Sequence, residues 1–155
     1  MPYFFAYGAR MNPTTMRGDT PDAVLIGPAR LDGFRLAFNV PSRSWGGGAA
    51  NAVPALGGSL WGILWEVGAA DLEALNSFRG DDDLRHELTV EVEGPDGAVQ
   101  ATTFAVDSPQ RFVAPADRYL AMLRAVARDQ GLPEDALADI DAAAGGGTRG
   151  QTPSI

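Results

Sequence analysis

Tyr3-Phe4-Phe5-Ala6-Tyr7-Gly8-Ala9-Arg10-Met11, close to the amino terminus, is a short aromatic run closed by a glycine. Such a run suits a buried strand that ends at a sharp turn. Residues 8–13 then read as a loop, and Asn12-Pro13 as a helix entry, because proline fits the first turn of a helix. Downstream, residues 24–31 and 34–38 read as two strands, the second alternating so that one face is buried. Three glycines follow Trp45, residues 49–54 form a further strand, and Leu60-Trp61-Gly62-Ile63-Leu64-Trp65-Glu66-Val67 is the clearest strand in the chain. Trp61 and Trp65, four apart in that strand, share a face and are read as core.

The remainder alternates between the two periods. Leu72, Leu75 and Phe78 mark one face of a short helix ended by Gly80. Residues 87–93 set Leu88, Val90 and Val92 against polar neighbours, Gly94-Pro95-Asp96-Gly97 is turn chemistry, and residues 98–106 return as the hairpin partner. Leu120, Leu123, Val126 and Ala127 line a helix that stops at Gly131, and Leu132-Pro133 starts another that runs to about residue 144. Strands first and helices last predict an α+β domain over residues 1–144, a small mixed β-barrel flanked by helices. A flexible glycine-rich tail is expected over residues 145–155.

Composition narrows the functions available. The chain has 155 residues, room for one domain. Its 20 acidic against 12 basic residues give a formal charge of −8, which repels phosphate backbones and argues against a nucleic-acid partner. All the basic residues are arginine, a bias that fits a GC-rich coding sequence. The absence of cysteine excludes disulfides, thiolate metal sites and a cysteine nucleophile. His86 is the single histidine, which disfavours a histidine-rich metal site or a Ser-His-Asp triad. Gly46-Gly47-Gly48 and Gly145-Gly146-Gly147 do not fit a dinucleotide fingerprint and are read as flexible loops, and without lysine there is no P-loop. No secretory leader or membrane span is recognisable, so a cytoplasmic protein with a small-molecule substrate, a monomer or homodimer, is expected.

The turn at residues 7–11 places successive backbone N–H groups where a strand stops, the arrangement of an anion pocket or oxyanion hole. The order and spacing of several segments then agree with one family. The chain resembles the gamma-glutamylcyclotransferase-like (AIG2-like) family, whose domains open with a strand and a Tyr-Gly-Ser-Asn-like loop, here Tyr7-Gly8-Ala9-Arg10. Ala29-Arg30-Leu31-Asp32-Gly33-Phe34-Arg35-Leu36-Ala37-Phe38 is similar to its second strand pair, and Trp45-Gly46-Gly47-Gly48-Ala49-Ala50-Asn51 and Leu60-Trp61-Gly62-Ile63-Leu64-Trp65 to its Trp-x-Gly-Gly and Val-Trp-Gly segments. Tyr119 and Gly131-Leu132-Pro133 are similar to its tyrosine-bearing helix and the junction after it.

The resemblance implies an intramolecular aminolysis. The free α-amine of a γ-glutamyl group attacks its own side-chain carbonyl, expels an amine and leaves 5-oxoproline. That reaction needs a folded substrate, a base for the ammonium proton and donors for the oxyanion, but no cofactor and no metal. It also implies Tyr7, Gly8, Ala9, Arg10 and Met11 as substrate-binding residues, with Tyr119 at the pocket; Trp45, beside the glycines, borders it. Family habits suggest a bacterial role such as removing a γ-glutamyl protecting group.

One position departs from the pattern. The family carries its base on a Leu-Asp-x-x-Glu-Gly motif, and this chain reads Leu75-Asn76-Ser77-Phe78-Arg79-Gly80, with Arg79 at the glutamate position. Guanidinium is no base at neutral pH. Three readings follow. The base has moved, to Asp82 or Glu87, with His86 a further choice. Alternatively, the pocket is kept without cyclotransferase activity and takes a small anionic metabolite through Arg10 and Arg79. In the third, the domain is a binding or regulatory module without turnover.

Overall fold

The computed structural model describes residues 2–77, 85–107 and 111–147. Among them, five strands close into a barrel in the order β1-β3-β2-β4-β5, with β1 Tyr3–Ala6, β2 Val24–Ser42, β3 Gly47–Glu66, β4 Arg85–Gly94 and β5 Gly97–Val106. Four helices accompany them: α1 Pro13–Asp19, α2 Ala69–Ser77, α3 Asp117–Asp129 and α4 Glu134–Ala144. The expected α+β class, a small mixed barrel flanked by helices, is the observed one. The mixture comes from β1, which runs antiparallel to β3 but parallel to β5 through the Phe4–Thr102 pair.

The aromatic run becomes β1 because its side chains from Phe4 onward are wanted inside, with Tyr3 partly buried at its start. Phe4, Phe5 and Ala6 are buried, and Phe4 packs on Phe104 with ring centroids 5.8 Å apart. Gly8 leads into a single 3-10 turn, Ala9–Met11, and Asn12 then caps α1, its side chain accepting from the Thr14 N–H at 3.0 Å with Pro13 in the first turn. The Pro95-Asp96 turn joins β4 to β5, whose register pairs Gly94 with Gly97.

Three sequence expectations change. Residues 24–31 and 34–38 are not separate strands but one strand, kept continuous by irregularities at Ile26, Gly33 and Asn39; Gly33, at φ +85°, takes a left-handed step that favours glycine. Residues 49–54 and 60–67 likewise fuse into β3. The glycines after Trp45 are not a flexible loop. Gly47 and Gly48 begin β3 and lie so close to residues 113–116 that a Cβ on Gly48 would stand 2.0 Å from the Val113 carbonyl oxygen. They are small because another backbone passes there. Trp65 is fully buried, whereas Trp61 is only partly so, with the Arg30 guanidinium 5.9 Å from its ring.

At the carboxyl end, Gly146 packs against Phe112, and the rest of the expected tail, from residue 148, lies outside the described residues. No helix among the described residues is long and apolar enough to cross a membrane.

Candidate functional site

The end of β1, the turn after it, the mouth of the β2–β3 ribbon and α3 meet around a cavity of about 370 Å³. That volume suits a small metabolite. Its apolar wall comes from Phe4, Phe5, Phe104, Val40 and Trp45, and its polar groups include Arg10, Thr15, Asp19, Arg85 and Tyr119.

Tyr119 is carried on the buried face of α3 and is 2% exposed. The Ala50 N–H donates to its hydroxyl oxygen at 3.0 Å. Burial pushes the phenol up to about 12, against the Ala50 hydrogen bond and the Arg85 charge, so it keeps its proton at neutral pH and remains a donor. Trp45 stacks on it at 4.8 Å, and Arg118 covers Trp45 at 4.9 Å while donating to the Ser44 carbonyl at 2.5 Å. The turn before β3 is thereby tied to α3. Gly8 sits close below: a Cβ there would lie 3.4 Å from the Tyr119 hydroxyl.

The charged side is built by the 3-10 turn, the end of α1 and the start of β4. Arg10 Nε lies 3.1 Å from Asp19 Oδ2, with side-chain exposures of 18% and 31%. Burial pushes the Arg10 guanidinium down, Asp19 counters by hydrogen bond and charge, and Arg85 adds a like charge. Arg85 lines the same cavity, and its charge acts on Tyr7, Arg10 and Tyr119 alike.

The residues expected from sequence are distributed as follows. Tyr7, Gly8, Ala9, Arg10, Trp45 and Tyr119 all line the cavity. Tyr7 spends its hydroxyl proton on the Phe104 carbonyl, so it offers a ligand a wall and no donor. Burial raises its pKa, opposed by the Arg85 charge. Met11 is 2% exposed in the core, outside the lining, and its N–H closes the turn onto Gly8 at 3.0 Å. The expected row of donors is therefore shorter by one. Glu87 is exposed on β4 and does not line the cavity; His86 also lies outside the lining, with Nε2 3.4 Å from Asp107. Arg79 and Asp82 lie outside the described residues.

Asp19, Thr15 and Arg85 were not anticipated. Thr15 and Asp19 are four apart on α1 and so share a face, a signal available in the sequence but shared by countless surface pairs. Nothing around Arg85 sets it apart from a strand-end arginine. Among the described residues, no group of three or more His, Cys, Asp or Glu side chains could hold a metal ion.

Comparison with known proteins agrees with this architecture. The chain is 27% identical to bovine gamma-glutamylcyclotransferase over 138 residues, 84% of this chain and 72% of the bovine one. It is 24% identical to the human enzyme of that name over 135 residues, with the same shares covered. A solved structure titled gamma-glutamyl cyclotransferase superposes with a TM-score of 0.83 at 22% identity, covering 99% of this chain and 92% of that one. YkqA from Bacillus subtilis gives 0.74, also at 22%, over 96% of this chain and 56% of its own. These structural likenesses establish the shared fold. Residues 59–140, from β3 through most of α4, match the family model described as AIG2-like, and since that is more than half of the sequence, the chain belongs to the AIG2-like family.

Proposed function

We propose that this protein is a gamma-glutamylcyclotransferase-like enzyme that releases an amine from a small γ-glutamyl amide and leaves 5-oxoproline. The observation that carries the reading is the cavity itself, which sets a guanidinium–carboxylate pair, a second guanidinium and a protonated phenol around a space of metabolite size. A γ-glutamyl group presents a carboxylate and an ammonium on one carbon. Arg10 and Arg85 suit the carboxylate. The aromatic wall of Phe4, Phe104 and Trp45 excludes water from the folded chain of the substrate, and holding that chain bent brings the amine onto its own carbonyl. The Tyr119 hydroxyl, fixed by Ala50, and the backbone at Gly8 and Ala9 are the groups that face the developing oxyanion. Bovine and human gamma-glutamylcyclotransferases as relatives support the same chemistry.

The test is to incubate the purified protein with a panel of γ-glutamyl amines and dipeptides and follow 5-oxoproline by mass spectrometry. Release above the uncatalysed rate is the expected result. A second reading rests on the excess of cation, two arginines against one carboxylate among the described lining residues. It makes the pocket a site for a small anionic metabolite, with Arg79 as a further contact. Silence toward every γ-glutamyl compound, together with a melting temperature raised by acidic metabolites, would select it.

A further inference from the structure

We infer that Asp19 is the base of this site: its carboxylate receives the α-ammonium of the substrate and takes the proton that frees the amine to attack. The inference rests on the cyclotransferase reading above and adds to it the residue that performs the proton transfer.

Three observations converge on Asp19. Among the described residues lining the cavity, it is the one carboxylate. Its Oδ2 takes the Arg10 contact at 3.1 Å, which leaves Oδ1 for a second partner. An arginine and an aspartate held side by side form the complement of an amino-acid head group: the ligand's carboxylate turns to the guanidinium and its ammonium to the carboxylate. The third observation is rigidity. α1 is capped by the Asn12 side chain, pinned by Met16 at 0% exposure, and closed by the Thr20 hydroxyl donating to the Met16 carbonyl at 2.9 Å. Thr15, one turn before Asp19, reaches the same cavity and offers a hydroxyl beside the carboxylate. A base on a helix fixed at both ends is held in place before the substrate arrives.

The proton balance closes. Asp19 takes one proton from the ammonium, and the nitrogen lone pair forms a bond to the side-chain carbonyl carbon, whose electrons move to the oxygen. The new ring nitrogen gives up a second proton. As the oxyanion collapses, the bond to the leaving nitrogen breaks; that nitrogen takes one proton to leave as an amine and the other to become an ammonium ion. Asp19 ends as the carboxylate it began as, with no water or oxidant consumed.

The experiment compares wild type, Asp19→Asn and Asp19→Ala in the 5-oxoproline assay. Asparagine keeps an oxygen for Arg10 and loses the base, so turnover at pH 7 is expected to fall at least ~100-fold. That deficit should shrink as the pH rises toward the pKa of the substrate amine, which the carboxylate on the same carbon holds above the roughly 8 of a chain-terminal amine, because there the amine loses its proton unaided. Formate, a small carboxylate that fits the space vacated in Asp19→Ala, should restore part of the rate. A structural role alone would give a loss independent of pH and untouched by formate, and that result overturns the inference. So does an Asp19→Asn variant within a few-fold of wild type. If wild type itself releases no 5-oxoproline from any compound, the cyclotransferase reading falls and the assignment of Asp19 falls with it.

Discussion

Replacing Gly48 by alanine tests whether the start of β3 is as tightly seated as its backbone implies. The new Cβ would stand 2.0 Å from the Val113 carbonyl oxygen and 2.9 Å from its carbon, with no flexible side-chain end to yield. Ordinary carbon–oxygen contact is roughly 3.3 Å or more, so the two backbones must part by about 1.3 Å. Two hydrogen bonds bridge that seam, from the Gly48 N–H to the Ala114 carbonyl at 3.0 Å and from the Val113 N–H to the Phe38 carbonyl at 2.8 Å. Losing most of both costs about 1 kcal/mol each, and the residual overpacking about 1–2 kcal/mol more. A total of about 3–4 kcal/mol lowers the melting temperature of a chain this size by roughly 6–16 °C. Thermal unfolding followed by circular dichroism reads it directly. Gly18→Ala is the internal control: an exposed glycine of α1 with nothing within 4 Å of its added Cβ, expected to leave stability unchanged or raise it by about 0.5–1 kcal/mol. A Gly48→Ala protein melting within 2 °C of wild type would refute the argument that a neighbouring backbone, rather than chain flexibility, demands glycine there.

Two further outcomes follow from buried polar groups. Tyr119 ionises near its ordinary 10 when unfolded but at about 12 when folded, so its protonated form is favoured by the fold. Its contribution is whole below pH 10 and is lost as pH climbs toward 12, at about 1.4 kcal/mol per pH unit; chemical denaturation of Tyr119→Phe between pH 9 and 11.5 should show a flatter decline than wild type. Asn51, 1% exposed, uses its side chain as a missing strand partner, Nδ2 donating to the Val106 carbonyl at 3.0 Å and Oδ1 accepting from the Val106 N–H at 2.9 Å. Asn51→Ala strands both backbone groups and is expected to cost about 2–4 kcal/mol in denaturant titrations, far more than the same change at an exposed site.

Local chemistry made much of this fold legible. The aromatic run of β1, the Asn12-Pro13 helix entry and the Gly94-Gly97 turn each announce themselves, because a cap or a turn is decided within four residues. The length of β2 and β3 was not legible. Gly33 and the Gly57-Gly58 pair lie in the gaps between the segments expected as separate strands, yet pairing between β2 and β3 carries the ladder past them, and that pairing is a tertiary fact. The same limit hid half the site. Tyr7, Arg10 and Tyr119 stood out through their segments, whereas Asp19 and Arg85 belong to the cavity only because a helix and a strand end are brought beside it. Gly47 and Gly48 are the converse case, since glycine chosen for close approach and glycine chosen for freedom look identical in a sequence.

The barrel's closure has a consequence for synthesis on the ribosome. β1 comes before the other four strands in sequence, but its antiparallel partners run from Ile63 to Glu66 and its parallel partner is Thr102 on β5. The aromatic strand must therefore wait, unpaired, at least until the far end of β3 emerges, at roughly 5–20 residues per second. β2 and β3 can zip into a ribbon in that interval, as neighbours in sequence and in space. β1 can join that ribbon once Glu66 is made, but the barrel closes only with β5 and the cavity is complete only when α3 brings Tyr119, so the chain acquires its ribbon early and its pocket late.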